Sequence, residues 1–178
     1  MTQRFEGLRF WLECLAHAAV IVSVPFIALQ LLAQERAQAA DEAQQQRIQR
    51  VNNAMSFIQM GNDPERTAVR AILSEPWEKI DVSALMEANP TPEGLNRAKL
   101  AVTNKVRDGD IEKLSDFYNA VLLCRNSDSC DKKLIDAFFQ VDVSGFYCAY
   151  DLRLADIAQR LNRPDYAANL KAYAGGCE

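Results

Sequence analysis

A run of twenty residues without a formal charge, from Cys14 to Ala33, constrains this chain more than any other feature. As an α-helix rising about 1.5 Å per residue, it would extend roughly 30 Å, the thickness of a bilayer's hydrocarbon core. We therefore predict a transmembrane helix over residues 8–34, preceded by an N-terminal tail at residues 1–7. The alternatives are a buried helix of a globular domain and a secretory signal cleaved near residues 37–39, where the small-residue pattern Ala-Gln-Ala occurs.

The residues after the apolar run favour a continued helix. Residues 35–60 are rich in Ala, Gln, Glu and Arg and contain neither Gly nor Pro, so we predict a polar helical stalk. Within it, Ile48, Val51, Met55 and Ile58 recur at intervals of three, four and three residues and share one helix face. This helix seam should pack on the chain's own domain, on a second copy, or on a partner's helix.

Residues 61–178 have the pattern of a small helical domain. Apolar stripes with helical spacing alternate with capping and turn signals, and strand-like alternation is nowhere sustained. We predict an all-α fold of five to seven helices, with Asp63, Thr91 and Asp131 as N-caps. The helix after Asp63 should end before Pro76, and the chain should break again at residues 142–145.

The cysteines indicate the compartment of this domain. Cys14 lies in the apolar run, while Cys124, Cys130, Cys148 and Cys177 form an even set in the domain. Such a set favours disulfides and an oxidising compartment. The first two flank a short polar turn that a disulfide could close, and the last two would tie down the C-terminus. The alternative is four buried thiols in a cytoplasmic domain.

Charge alone does not orient the predicted span. Arginines flank it on both sides, at Arg4, Arg9, Arg36, Arg47 and Arg50, so the positive-inside rule gives nearly a tie. The cysteines therefore decide the prediction. We expect a bacterial inner-membrane protein with a cytoplasmic N-terminus and a periplasmic domain.

Three polar residues at the start of the span are spaced by four. Arg9, Glu13 and His17 would therefore lie on one helix face at membrane depth, where polar groups usually face protein, water or each other. We consider docking on a partner helix, a proton path, and simple snorkelling of Arg9 and His17 to the interface.

Composition and motifs argue against catalysis and nucleic-acid binding. The net charge is −4 and no basic patch is visible, whereas nucleic-acid binding needs clustered Lys and Arg. No phosphate-binding glycine loop or Cys-x-x-Cys zinc knuckle occurs, and the only histidine lies in the predicted span. Three further aspartates, Asp108, Asp110 and Asp142, have the placement of helix caps. We predict no catalytic residues, no metal and no cofactor.

Two stretches carry a family resemblance. The apolar run leading into Phe26-Ile27-Ala28-Leu29-Gln30, and the segments at residues 114–120, 136–139 and 145–147, resemble a bacterial domain-of-unknown-function family of small single-pass membrane proteins. The resemblance covers about a third of the chain. It implies a membrane-anchored helical domain and no particular chemistry.

Together these features predict a non-enzymatic accessory or scaffold subunit of a bacterial membrane complex. Its partners would be the lipid bilayer and a membrane protein or a second copy of itself, with docking through the Arg9 face, the helix seam, or both. The alternative is a membrane-anchored sensor or phage-defence protein whose helical domain is cytoplasmic and whose thiols are reduced.

Overall fold

The computed structural model describes the backbone of residues 3–177 and the side chains of residues 30–177. Every regular element in this part of the chain is an α-helix, which confirms the all-α prediction. The helices are α1 (Gln3–Gly61), α2 (Pro64–Glu78), α3 (Val82–Ala88), α4 (Pro92–Thr103), α5 (Asp108–Asn126), α6 (Lys132–Arg160) and α7 (Ala168–Ala174). Two compact units divide the chain, residues 1–47 and residues 48–178, so the boundary falls within α1.

The predicted transmembrane helix falls mainly on residues whose side chains are not described. Residues 8–29 of that span, with Arg9, Glu13 and His17, lie outside the described side chains, as does the tail at residues 1–7. Within the part that is described, no helix has the length and apolar character needed to cross a bilayer. The span and its polar face therefore stay predictions.

The predicted N-caps are present. The Asp63 carboxylate accepts a hydrogen bond from the Glu65 backbone N–H at 2.9 Å, and Asp131 accepts one from Leu134 at 3.0 Å. The Thr91 hydroxyl oxygen accepts one from the Gly94 N–H at 3.1 Å. Each bond satisfies a backbone donor that the first helical turn leaves free, which is why these short polar residues begin helices here.

Two predicted helix breaks are wrong. The helix α2 continues through Pro76 to Glu78, and α6 runs without interruption through residues 142–145. In α2, the apolar face of Val69 and Leu73 extends to Trp77, which packs against the core beyond the proline. In α6, a glycine costs only about 1 kcal/mol relative to alanine. The burial of the apolar stripe on both sides of Gly145 outweighs that cost.

The core of the second unit is aromatic and lies between α5 and α6. Tyr118 of α5 is 5.4 Å from Phe146 of α6 between ring centroids, and Phe117 is 5.9 Å from Phe139 in an edge-on arrangement. Such tilted and edge-on pairs are favoured by the ring quadrupoles. The C-terminal end of α1 adds Ala54 and Ile58 to this core, and α7 adds Leu170.

An ion-pair network fastens the start of α5 to α6. The carboxylate of Asp108 accepts hydrogen bonds from Arg153 and Arg160, and Arg160 also donates to Glu112 at 2.9 Å. The predicted role of Asp108 as a cap is therefore wrong, because its side chain bonds these guanidinium groups rather than the backbone of α5. Bonds from Arg160 and Arg153 lower the pKa of Asp108.

The other two aspartates predicted as caps are also ion-paired. The Asp110 carboxylate is buried and lies 2.9 Å from the Arg107 guanidinium, and Asp142 pairs with Arg70 of α2 at 3.2 Å. Asp142 lies inside α6, so no helix begins there for it to cap. Asp142 thus joins α6 to α2, whereas the pair between Asp110 and Arg107 is local to the start of α5.

We expect Asp108→Asn to reduce the acid sensitivity of folding. Because the folded-state pKa of Asp108 lies below its ordinary value of 3.8, its ionised form contributes stability above that value, and the contribution is lost as the pH falls through the lowered pKa. Urea unfolding between pH 7 and pH 2 should therefore show a smaller loss of unfolding free energy for the variant than for the wild type. Asp165→Asn, at an exposed position, is the control, and parallel curves for Asp108→Asn and the wild type would contradict the role of Asp108.

Candidate functional site

The four domain cysteines form two disulfides, as the sequence predicts. Cys124 and Cys130 close the turn between α5 and α6, with 5.3 Å between their Cα atoms. Cys148 of α6 bonds to Cys177, with 5.2 Å between Cα atoms, and so fixes the chain after α7. Both distances lie in the range that disulfide geometry requires.

A polar cluster supports the same C-terminal region. Asp136 of α6 accepts hydrogen bonds from Arg125 of α5 and from the Tyr173 hydroxyl of α7, both at 2.6 Å. The Arg125 guanidinium also lies over the Tyr173 ring, 5.1 Å from its centroid. Burial, reinforced by the Asp136 carboxylate, raises the pKa of Tyr173, so this hydroxyl acts as a donor. The cluster ties α5, α6 and α7 together.

The predicted helix seam is divided between core and surface. Ile58 is 7% exposed and belongs to the core, and Val51 is half-buried. Ile48 and Met55, by contrast, are 51% and 41% exposed. The seam thus packs on the chain's own domain at its C-terminal end and leaves two apolar side chains, seven residues apart on one face, at the surface.

Two apolar side chains of α6 lie at the surface among polar neighbours such as Lys133 and Gln140. Phe138 is 54% exposed and Val141 is 83% exposed, although Phe139 and Phe146 are in the core. Of the aromatic residues of α6, Phe138 is the one that lies mostly in solvent.

Helix α2 borders several grooves, including one against α4 and one against α6. The α2–α4 groove, of about 690 Å³, is lined mainly by apolar side chains of α2, α3 and α4, together with Glu75, Lys79 and Lys105. The short helix α3 beside it buries none of its residues. The second, which we call the α2–α6 cavity, has a volume of about 300 Å³ and is bounded by α2, α5 and α6.

Two polar contacts span the α2–α6 cavity. The Tyr150 hydroxyl of α6 donates a hydrogen bond to the backbone carbonyl of Leu73 in α2 at 2.6 Å, and Arg70 pairs with Asp142. Arg70 also donates to the carbonyl of Gly61 at the end of α1. These contacts hold α2 and α6 apart at a fixed spacing, and the walls between them are mainly apolar, including Leu114 and Phe146.

A buried tyrosine on α5 lines the α2–α6 cavity without a protein partner. Tyr118 is 1% exposed, and its hydroxyl forms no hydrogen bond with a described residue, although the oxygen is not fully shielded from solvent. The Nε1–H of Trp77, which lines the same cavity, is fully buried and also has no partner among the described residues. The hydroxyls of Tyr150, Tyr166 and Tyr173 all do so. Burial, with a smaller effect from the Asp142 carboxylate, raises the pKa of Tyr118, so the phenol is neutral. Sequence analysis missed this feature, because the helical spacing of the apolar residues in α5 indicates only that Tyr118 lies in the core.

Titratable groups of the described residues are mostly paired within the fold. No three His, Cys, Asp or Glu side chains among them are grouped so that they could hold a metal ion. The domain cysteines are bonded in pairs, and Asp142 beside the cavity and Asp108 are ion-paired with arginines. A serine hydroxyl lies beside a carboxylate: Ser74 Oγ donates a hydrogen bond to Glu78 at 2.7 Å on the exposed surface of α2.

Comparison with known proteins adds no relatives. No family model matches the chain, and no curated protein or solved structure is similar to it.

We expect the second disulfide to stabilise the domain more than the first. Loops of 29 and 6 residues correspond to about 3.6 and about 2.2 kcal/mol of lost unfolded-state entropy. Cys148→Ala/Cys177→Ala should therefore lower the unfolding free energy by about 1.4 kcal/mol more than Cys124→Ala/Cys130→Ala, measured by urea unfolding without reductant. If the two losses of unfolding free energy are equal, or if their order is reversed, loop closure is not how the Cys148–Cys177 disulfide stabilises the domain.

Proposed function

We propose that this chain is a non-enzymatic accessory or scaffold subunit of a bacterial membrane protein complex. One transmembrane helix at residues 8–34 anchors it, and the helical domain lies in the periplasm. The observation that carries the proposal is the pair of disulfides in the domain.

The disulfides support the compartment. Structural disulfides persist in oxidising environments such as the bacterial periplasm, whereas cytosolic thiols are kept reduced. In this domain one bond closes an interhelical turn and the other fixes the chain end against α6. Neither pair lies in a Cys-x-x-Cys arrangement typical of redox catalysis, which favours a structural role.

The use of polar groups supports a non-enzymatic role. Asp108, Asp136 and Asp142 each bind arginine and join two or more helices, so their charges are already neutralised within the fold. Catalytic acids and bases need a free partner in a cleft. These polar side chains instead hold the helices of the domain together.

The surface supports docking on a partner helix. Ile48 and Met55 present an apolar strip on α1, in the segment that follows the predicted span. In the span itself, Arg9, Glu13 and His17 would face a partner in the membrane. A helix of a membrane-embedded partner that runs beside the span would contact both the apolar strip and the polar face. We propose such a helix as the occupant of both surfaces.

The alternative function is a membrane-anchored sensor or phage-defence protein with a cytoplasmic domain. It requires reduced cysteines, so the disulfides favour the accessory subunit. A second copy of the chain is the competing occupant of the apolar strip.

We expect Met55→Gln to weaken co-purification of the partner. The full-length protein would be isolated from its native membrane in mild detergent, and its partners quantified by mass spectrometry against the wild type. The variant replaces an apolar side chain at the strip with a polar one of similar length, and we expect a several-fold loss of partner. Glu13→Leu should weaken co-purification in the same way, because it removes the carboxylate from the membrane face.

Met60→Gln is the matched control. Met60 is 36% exposed on the same helix, but five residues from Met55 and so on a different face. It should leave the partner bound. Equal recovery of partner with all three variants would contradict docking through α1, and recovery of the chain alone as a homodimer would assign the strip to self-association.

A further inference from the structure

We propose that the α2–α6 cavity is a binding site for a small, neutral, mainly apolar molecule that bears one hydrogen-bond acceptor. The acceptor would take a hydrogen bond from the Tyr118 hydroxyl, and the apolar body would lie between α2 and α6. This site is separate from the docking surfaces on α1, and its test does not depend on them.

The Tyr118 hydroxyl is the first observation behind this site. A buried tyrosine normally finds a partner for its O–H, because an unmet donor in an apolar setting costs free energy. Tyr118 lines the cavity, its side chain is almost wholly buried, and its hydroxyl has no protein partner among the described residues, although the oxygen is not fully shielded from the water of the open cavity. The Nε1–H of Trp77, on the same cavity, is a fully buried donor without a partner among the described residues. An acceptor on a bound molecule would supply the missing bond.

Gly145 is the second and independent observation. It lies in the middle of the 29-residue helix α6, where a glycine is less stable than alanine by about 1 kcal/mol. Its backbone is helical and needs no positive φ. Beyond the neighbouring backbone, a Cβ at this position would meet no heavy atom within 4 Å, so packing does not require glycine either. Gly145 is an exposed residue that lines the cavity, so the absence of a side chain leaves this edge of the cavity open to solvent.

The lining defines the class of ligand. Leu73, Leu114 and Phe146 provide apolar surface, and the indole of Trp77 adds an aromatic wall. The two charges present, Arg70 and Asp142, neutralise each other at 3.2 Å, so the cavity offers no net charge to an ion. A volume of about 300 Å³ is at the lower end for ligand sites and suits a molecule with a single ring or a short branched chain.

Acetophenone, a neutral aromatic ketone, is the probe that tests this site. The full-length chain would carry Trp11→Phe, so that Trp77 in the cavity wall is the only indole left to report binding by fluorescence. We expect a saturable change in its emission. Ethylbenzene has a similar size but lacks the acceptor, so it serves as the matched ligand and should bind more weakly.

Three variants separate the contributions to binding. Gly145→Leu should weaken binding of both ligands at least tenfold by filling the cavity, whereas Gly109→Leu, at an open helical glycine of α5, should have no effect. Tyr118→Phe should weaken acetophenone binding about three- to tenfold, the worth of one neutral hydrogen bond, and leave ethylbenzene unchanged. Because the Tyr118 hydroxyl has no partner to lose within the described residues, this variant should fold normally, as circular dichroism can check.

Three results would overturn the proposal. One is the absence of any saturable fluorescence change up to the solubility limit of acetophenone. Another is binding to Gly145→Leu as tight as to the wild type, which would place the probe elsewhere. The last is a Tyr118→Phe variant that binds acetophenone as tightly as the wild type. That result would show that Tyr118 donates no hydrogen bond to the ligand, and the assigned ligand class would be wrong.

Discussion

The continuous burial of one face of α6 is the interaction on which the rest of the second unit depends. Its inward stripe, from Ile135 through Val143 to Leu154, is fully buried, and the helix packs against α4, α5 and α7. Each such side chain contributes about 1.5 to 3 kcal/mol on burial, so the stripe easily outweighs the cost of one internal glycine.

Side chains on the flanks of α6 form bonds with the neighbouring helices. Arg153 and Arg160 hold the start of α5, and Asp136 holds α7. On the side of α2, the hydrogen-bonded connections among the described residues are the Tyr150 hydrogen bond and the Arg70–Asp142 pair. The side of α6 that is closely packed forms the core. On the side that faces α2, the two polar contacts are separated by the α2–α6 cavity. The same helix therefore supports both the stability of the domain and its candidate ligand site.

The sequence predicted best what depends on neighbouring residues. The caps at Asp63, Thr91 and Asp131 were predictable because an N-cap bonds backbone donors two or three residues away. The breaks predicted at Pro76 and at residues 142–145 failed because tertiary packing overrides local propensity.

Features that join residues distant in the sequence could not be predicted from the sequence pattern. Asp108 could not be recognised as an ion-pair centre, since its partners lie 45 and 52 residues away. The cavity, likewise, exists only where Tyr118 of α5 and Gly145 of α6 come together. A glycine inside a long apolar stripe was the one local signal that could have pointed to it. The exposure of Ile48 and Met55, beside a buried Ile58, also depends on how far α5 and α6 cover α1.

We propose that the helical domain lies outside the cytoplasm and that the chain is anchored in the membrane. The decisive experiment is mass mapping of the cysteines, on protein taken from its native membrane fraction with free thiols blocked before lysis. We predict that Cys124 is linked to Cys130 and Cys148 to Cys177, with the chain retained in the membrane fraction. Four blocked, unlinked thiols would contradict the claim and would move the domain to the cytoplasmic side.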